Sequence, residues 1–201
     1  MKRRTHPSSF GRGLYNHAVP FVSRAGQKLE HGLATFNLEV RELVCADLGC
    51  STGGFVDCLL QRGASRIYAV DTGYGVLDYG LRKDPRVIVK ERSNAMHVTL
   101  PELVEFISID VAWTKQKHIL PAAGRLLAPQ GQIVSLVKPH YEAQPAMLRK
   151  GILMEEHLGE VLEMVKADIA AAGFEMLGLT DSPILGAKGN RELLAWLRPL
   201  A

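Results

Sequence analysis

Several things are scarce in this sequence, and each shortage closes a class of answer. There are only three cysteines in 201 residues, Cys45, Cys50 and Cys58. They are odd in number, irregularly spaced and without a Cys-x-x-Cys pair, and the seven histidines are scattered. That pattern argues against a disulfide scaffold and against a structural zinc site, so no metal is expected. Free thiols on a buried strand, a turn and the following helix fit a reducing, cytoplasmic setting. No apolar run approaches the roughly 18 residues needed to span a bilayer. The basic start at Met1-Lys2-Arg3-Arg4 has no apolar stretch behind it, so neither a membrane span nor a secretion signal is expected. Neither sign of charge dominates: 24 Lys and Arg stand against 21 Asp and Glu, for a net +3. That balance permits an anionic partner without demanding one. Internal repeats and low-complexity segments are also lacking.

What is present is a chain that is 47% hydrophobic, long enough for one buried core and crowded for two. Residues 1–20 mix basic, Gly, Pro and Ser positions and read as a flexible basic arm, leaving 21–201 as the single folded domain. From Ser23, a candidate cap, a helix is expected with Leu29, Leu33 and Phe36 on one face. Strand patterns then alternate with helical ones: Val44–Asp47, Arg66–Asp71, Val87–Lys90, Phe106–Val111 and Gln132–Val137 as strands, with Thr52–Gln61, Val76–Arg82 and Lys117–Leu127 as helices. A long helix from about Met154 to Ala172 carries its apolar stripe at Leu158, Val161, Leu162, Val165 and Ile169. Glu175–Thr180 and Glu192–Leu197 follow as two strands with no helix between them. The rhythm predicts an α/β fold, a doubly wound and mostly parallel seven-stranded sheet that ends in an antiparallel hairpin.

The first strand runs into Asp47-Leu48-Gly49-Cys50-Ser51-Thr52-Gly53-Gly54-Phe55. A glycine-rich turn that opens a helix lets a ligand approach bare backbone and offers free N–H groups to an anion. A dinucleotide fingerprint would read G-x-G-x-x-G, and here Ser51 stands where its second glycine belongs, which disfavours a nicotinamide oxidoreductase. S-adenosylmethionine suits the turn better: its carboxylate matches the helix N-terminus and its ammonium matches the Asp47 carboxylate. Asp71 ends the second strand, where a carboxylate can accept ribose hydroxyls, and the third leads to Glu91-Arg92-Ser93-Asn94, with Asn94 placed to meet an adenine. The expected cofactor contacts are therefore Asp47, Gly49, Ser51, Thr52, Gly53, Gly54, Phe55, Asp71 and Asn94. Taken singly, Asp47 or Asp71 is as well explained as a strand-end cap. Asp110 and Lys138 sit near the carboxyl ends of the fourth and fifth strands, which places an acid and a lysine at the same edge; a plain salt bridge is the alternative to a catalytic pair.

These residues carry a resemblance. Val22-Ser23-Arg24-Ala25-Gly26-Gln27-Lys28-Leu29, the glycine turn, Val70-Asp71-Thr72-Gly73-Tyr74-Gly75, Leu136-Val137-Lys138-Pro139, and Ser182-Pro183 through Gly189-Asn190-Arg191-Glu192 are similar to the methyltransferase domain of the TlyA (hemolysin A) family, within the FtsJ-like ribosomal RNA 2′-O-methyltransferases. The resemblance runs from about residue 21 to 198. It implies a Rossmann-like class I methyltransferase that uses S-adenosylmethionine, takes ribosomal RNA or a ribosomal subunit as partner, and carries a Lys-Asp-Lys-Glu tetrad at Lys28, Asp110, Lys138 and Glu192. The sequence departs from the family pattern in three places. The family's small RNA-binding domain ahead of the methyltransferase is not expected here, Ala112-Trp113 replaces a Ser-Phe pair, and His140-Tyr141 replaces Gln-Phe. Two rival readings remain: a non-catalytic protein that binds S-adenosylmethionine or RNA, and a hemolysin-like protein. For the latter no basic amphipathic membrane helix stands out. His140 to Leu153 reads as a long polar connection at the pocket edge.

Overall fold

A computed structural model describes residues 21–200; the arm expected at 1–20 lies outside the described residues. In chain order the elements are α1 (Ala25–Thr35), β1 (Val44–Leu48), α2 (Gly54–Gln61), β2 (Arg66–Val70), α3 (Tyr79–Lys83), β3 (Val87–Lys90), β4 (Val104–Ile109), α4 (Gln116–Leu126), β5 (Leu127–Val137), α5 (Pro139–Glu142), β6 (Leu148–Arg149), β7 (Ile152–Leu153), α6 (Leu158–Ala171), β8 (Phe174–Asp181) and β9 (Leu193–Pro199). Seven strands form one sheet in the order β3-β2-β1-β4-β5-β9-β8, and β6 pairs with β7 in a separate ribbon. The β1–β2, β1–β4, β2–β3 and β4–β5 pairs are parallel, whereas β9 runs antiparallel to both β5 and β8. This is the mostly parallel seven-stranded sheet with one reversed strand that the alternation predicted, in the Rossmann-like form that the resemblance implies.

Both faces of the sheet are covered, so its strands read as nearly continuous apolar runs rather than alternating ones. On one face Leu29 and Leu33 of α1 and Val56 and Leu59 of α2 pack with Cys45, Ile67 and Phe106. On the other, Ile119 and Leu120 of α4 and Val161, Val165 and Ile169 of α6 pack with Ala46, Leu48, Ile107 and Ile109. The pleat therefore turns Asp47 and Ser108, paired in register across β1 and β4, toward the α1–α2 side. Cys45, Cys50 and Cys58 are all free and buried, as expected. Among the described residues no helix is long and apolar enough to cross a membrane.

Four local expectations need correction. Ser23 is not a side-chain cap: the N-cap of α1 is Arg24, with no capping side chain, and the Ser23 carbonyl accepts from Gly26 N–H at 3.1 Å. The second helix starts at Gly54 rather than Thr52, because Gly53 caps it in the left-handed region at φ +103°. The third starts at Tyr79 rather than Val76, because Asp78 caps it by accepting from Gly80 and Leu81 N–H. Residues 140–153, expected as a polar connection, fold into α5, a 3-10 turn at Pro145–Met147 and the β6–β7 ribbon, and a second 3-10 turn at Glu155–His157 precedes α6.

Candidate functional site

The parallel strands deliver their carboxyl ends to one edge of the sheet, and the chemistry-bearing residues follow them there. Gly49, at the exit of β1, has φ +92°, and a Cβ built there would stand 2.5 Å from the Asp110 carbonyl oxygen. Only glycine lets the turn lie this close to the end of β4. Two adjoining clefts flank the turn and share Gly49, Ser51 and Asp110 as common wall. The larger, of about 360 Å³, runs past Asp71, Asn94, Val111 and Trp113 to Ile119. The smaller, of about 120 Å³, reaches Ser23, Asp47, Thr52, Gly54 and Phe55. Gly53 lines neither; a Cβ there would run into Leu77 and Leu81, so its part is conformational.

Asp47 is the most telling acid. Its side chain is 1% exposed; Oδ1 accepts from Ser108 Oγ at 2.7 Å, while Oδ2 is buried without a partner. Burial pushes its pKa up to about 8, opposed by the Ser108 hydrogen bond and reinforced by the charges of Asp110 and Asp71. An orphaned carboxylate oxygen at the wall of a cleft is satisfied by a cation, and an amino-acid ammonium has that charge. Asp71 serves the turn as well as the cleft: Oδ2 accepts from Ser51 N–H at 2.8 Å and Oδ1 from Gly73 N–H at 2.7 Å. Each oxygen retains a lone pair for a ligand hydroxyl. Asn94 lines the larger cleft with its amide oxygen taken by Met96 N–H at 2.9 Å, which leaves its N–H groups as donors. These residues fit S-adenosylmethionine: an acid for the ammonium, the N–H groups that open α2 for the carboxylate, and an acid and an amide farther along for the nucleoside. Within the turn the N–H groups of Gly49 and Cys50 are already spent on the Val70 carbonyl, that of Ser51 on Asp71 and that of Gly53 on the Cys50 carbonyl.

The four tetrad residues resolve into two ion pairs. Lys28 Nζ meets Glu192 Oε2 at 2.5 Å with both side chains under a tenth exposed. Lys138 Nζ donates to Asp110 Oδ1 at 2.6 Å and to the Val111 carbonyl at 3.1 Å, with 14% and 20% of the two side chains exposed. The segment behind Lys138 is pinned: Glu142 accepts from Gln116 N–H at the start of α4, Lys115 donates to the Glu142 carbonyl, and Gln116 accepts from Ser135 Oγ. Among the described residues no cluster of His, Cys, Asp or Glu could hold a metal ion.

Sequence reasoning missed some of this. Ser108, which orients Asp47, shows only as a lone polar position inside Ile107-Ser108-Ile109. Glu91 was grouped with the adenine end, yet its carboxylate accepts from Gly75, Val76 and Leu77 N–H and from Arg82. The Arg82 guanidinium and then the Gly75 N–H hold its pKa down to about 2, so Glu91 shapes the loop after β2.

A family model described as FtsJ-like methyltransferase matches residues 21–199. Over 183 residues the chain is 42% identical to a Bacillus subtilis (strain 168) protein named "Putative rRNA methyltransferase YqxC", covering 88% of this chain and 65% of that one. It is 36% identical over 185 residues to the "16S/23S rRNA (cytidine-2'-O)-methyltransferase TlyA" of Mycobacterium tuberculosis (strain CDC 1551 / Oshkosh), covering 89% of this chain and 68% of the relative. The chain thus spans about two thirds of the length of these curated relatives. A solved structure titled "Putative hemolysin from Streptococcus thermophilus" superposes with a TM-score of 0.88 at 42% identity, covering 92% of this chain and 70% of that chain.

Proposed function

We propose, since the chain belongs to the FtsJ-like methyltransferase family, that it transfers a methyl group from S-adenosylmethionine to a ribose 2′-hydroxyl of ribosomal RNA. One observation carries the reading: two lysine–carboxylate pairs stand at the carboxyl edge of the sheet, and one of them, through Asp110, forms part of the wall shared by the two clefts. The TlyA relative is named for this chemistry on cytidine.

When bound, S-adenosylmethionine supplies a methyl already activated by its sulfonium. Asp47 would hold the ammonium, the N–H groups that open α2 the carboxylate, and Asp71 and Asn94 the ribose and adenine. What remains for the chain is to align the acceptor oxygen and remove its proton. Lys138, fixed by Asp110 and the Val111 carbonyl, orients the 2′-hydroxyl and, once its own proton has passed to solvent, is the group beside that hydroxyl that takes the proton as the oxygen–methyl bond forms and the methyl–sulfur bond breaks. Lys28, fixed by Glu192, positions the ribose and stabilises negative charge that develops on the oxygen. Alignment contributes the larger share, about 7–11 kcal/mol where it is good; general-base assistance adds about 10²–10⁴-fold. A cytoplasmic location fits the RNA substrate and the three unpaired thiols.

The test is methyl transfer from labelled S-adenosylmethionine to ribosomal subunits, followed by digestion to nucleosides and mass spectrometry. A 2′-O-methylated nucleoside is expected with the parent and none with Lys138→Ala, which keeps its cofactor binding by calorimetry. Equal rates for variant and parent remove Lys138 from this role.

A further inference from the structure

Trp113, which walls the larger cofactor cleft, also walls a neighbouring pocket of about 340 Å³, together with His140, Tyr141, Lys188 and Asn190. Such a volume falls in the range of small-molecule sites, about 300–1,000 Å³. Its aromatic wall is continuous. Tyr141 meets Trp113 edge-on with ring centres 6.4 Å apart, and the His140 ring lies 4.1 Å from that of Tyr141. Lys138 Nζ stands 6.0 Å from the centre of the Tyr141 ring, so the pocket opens beside the Lys138–Asp110 pair. Trp113 is 79% exposed and held at φ +57°, a backbone conformation that a bulky residue adopts only under constraint.

The two buried polar residues of this pocket differ in how they are satisfied. Asn190 is fully engaged: its Nδ2 donates to the Gly151 and Ala187 carbonyls, and its Oδ1 accepts from Leu153 N–H. It ties the β6–β7 ribbon to the β8–β9 connection. His140 is 8% exposed, and its Nδ1 is sealed from solvent with no hydrogen-bond partner. Nδ1 is thus out of a ligand's reach, and Nε2, which no group among the described residues engages, is the ring nitrogen that the pocket can use. Burial lowers the pKa of the ring, the Glu192 carboxylate opposes this and the Lys138 ammonium adds to it. A neutral imidazole with Nδ1 sealed offers one donor or one acceptor at Nε2, enough for a single contact to a nucleobase edge.

We propose that this pocket seats the base of the acceptor nucleotide and that His140 hydrogen-bonds the edge of that base, which makes it a specificity-determining residue of the transfer. The proposal rests on the ribosomal RNA reading above. Trp113 supplies an exposed face for an unstacked base, and Lys188 supplies positive charge at the rim. A base so held places its own ribose beside Lys138, where the transfer needs it.

The experiment uses the full chain with ribosomal subunits from cells that lack this gene, titrated to separate KM from kcat, and scores the methylated nucleosides by mass spectrometry. His140→Phe and His140→Leu keep an apolar filling but remove the polar edge, and His140→Gln restores a donor and an acceptor. The apolar variants are expected to raise KM for the subunits about tenfold or more, the size of one base-edge contact. Their S-adenosylmethionine affinity stays at the parent's, and the Gln variant recovers most of the loss. An apolar variant with the parent's KM and nucleoside profile overturns the proposal. So does loss of both cofactor binding and cooperative melting in both apolar variants, which marks His140 as a packing residue. If the parent itself transfers no methyl to ribose, the functional reading fails, and this proposal falls with it.

Discussion

Lys138 and Glu192 face each other one position beyond the last Val137–Leu193 pair of the β5–β9 ladder, yet they do not pair with each other. Lys138 reaches back along the parallel sheet to Asp110 at the end of β4, and Glu192 reaches across to Lys28 on α1. The reversed strand thereby brings a residue from the far end of the chain to the carboxyl edge of the parallel strands. Each lysine is thus held by its own acid.

This arrangement predicts a division of labour. Lys138→Met is expected to reduce methyl transfer by about 10²-fold or more, the range of general-base assistance. It is expected to leave melting temperature and cofactor affinity close to the parent's, because the Lys138–Asp110 pair is partly solvated. Single-turnover rates with radiolabelled cofactor measure the first quantity and calorimetry the others. A variant that loses affinity and rate together would place Lys138 in cofactor binding instead.

Asp47 predicts a pH dependence. Burial raises its folded-state pKa to about 8, well above that of an unfolded Asp. Its contribution to stability is therefore fully present below an unfolded pKa of about 4 and is lost as pH rises toward 8, by up to about 1.4 kcal/mol per pH unit. A bound ammonium favours the carboxylate, so cofactor binding near pH 7 should release a proton and tighten with pH by up to about tenfold per unit. Calorimetric titration in two buffers of different ionisation heat reads the proton directly. Asp47→Asn should abolish both the proton release and the pH slope; an unchanged slope would assign it to another group.

Much of this was legible because strand periodicity and chemistry coincide. Val87–Lys90 emerges with the bounds its apolar run predicts, and Asp47, Asp71, Asp110 and Lys138 all lie at strand ends where the alternation placed them. Lys28 and Glu192 were not legible from spacing, since they lie 164 residues apart and meet only when β9 enters the sheet beside α1. Helix starts were misread where side chains competed for backbone N–H groups. The Glu91 carboxylate takes those of Gly75, Val76 and Leu77, and α3 cannot begin until Asp78 caps it. The pairing of His140 with Trp113 in one pocket follows from the fold of residues 139–153, which carry too little periodicity to be read as structure.

Two glycines, one in the turn after β1 and one in the loop after β2, make a contrasting pair of substitutions. Gly49 and Gly75 both have positive φ, at +92° and +68°, but a Cβ at Gly49 collides with the Asp110 backbone whereas one at Gly75 meets nothing within 4 Å. Gly75→Ala should cost about 1 kcal/mol, the left-handed penalty alone. Gly49→Ala adds a backbone collision at the wall between the clefts and should eliminate measurable cofactor binding. Thermal melts with and without cofactor separate the two effects, and cofactor stabilisation of Gly49→Ala equal to that of the parent would remove the turn from the binding site.

The Lys28–Glu192 pair separates structure from chemistry most directly. Both side chains are under a tenth exposed, so Lys28→Met leaves an uncompensated buried carboxylate and should cost about 3–5 kcal/mol. Replacing both partners by apolar residues of similar size removes that charge, and a buried pair exchanged in this way is often neutral in stability. Lys28→Met/Glu192→Leu should therefore unfold in denaturant near the parent's midpoint and bind cofactor. It should still fail to methylate, because the Lys28 ammonium that positions the ribose is gone and the Lys138–Asp110 pair alone remains. Recovery of stability without recovery of methyl transfer marks the pair as part of the reaction; recovery of both would reduce it to a prop for β9 against α1.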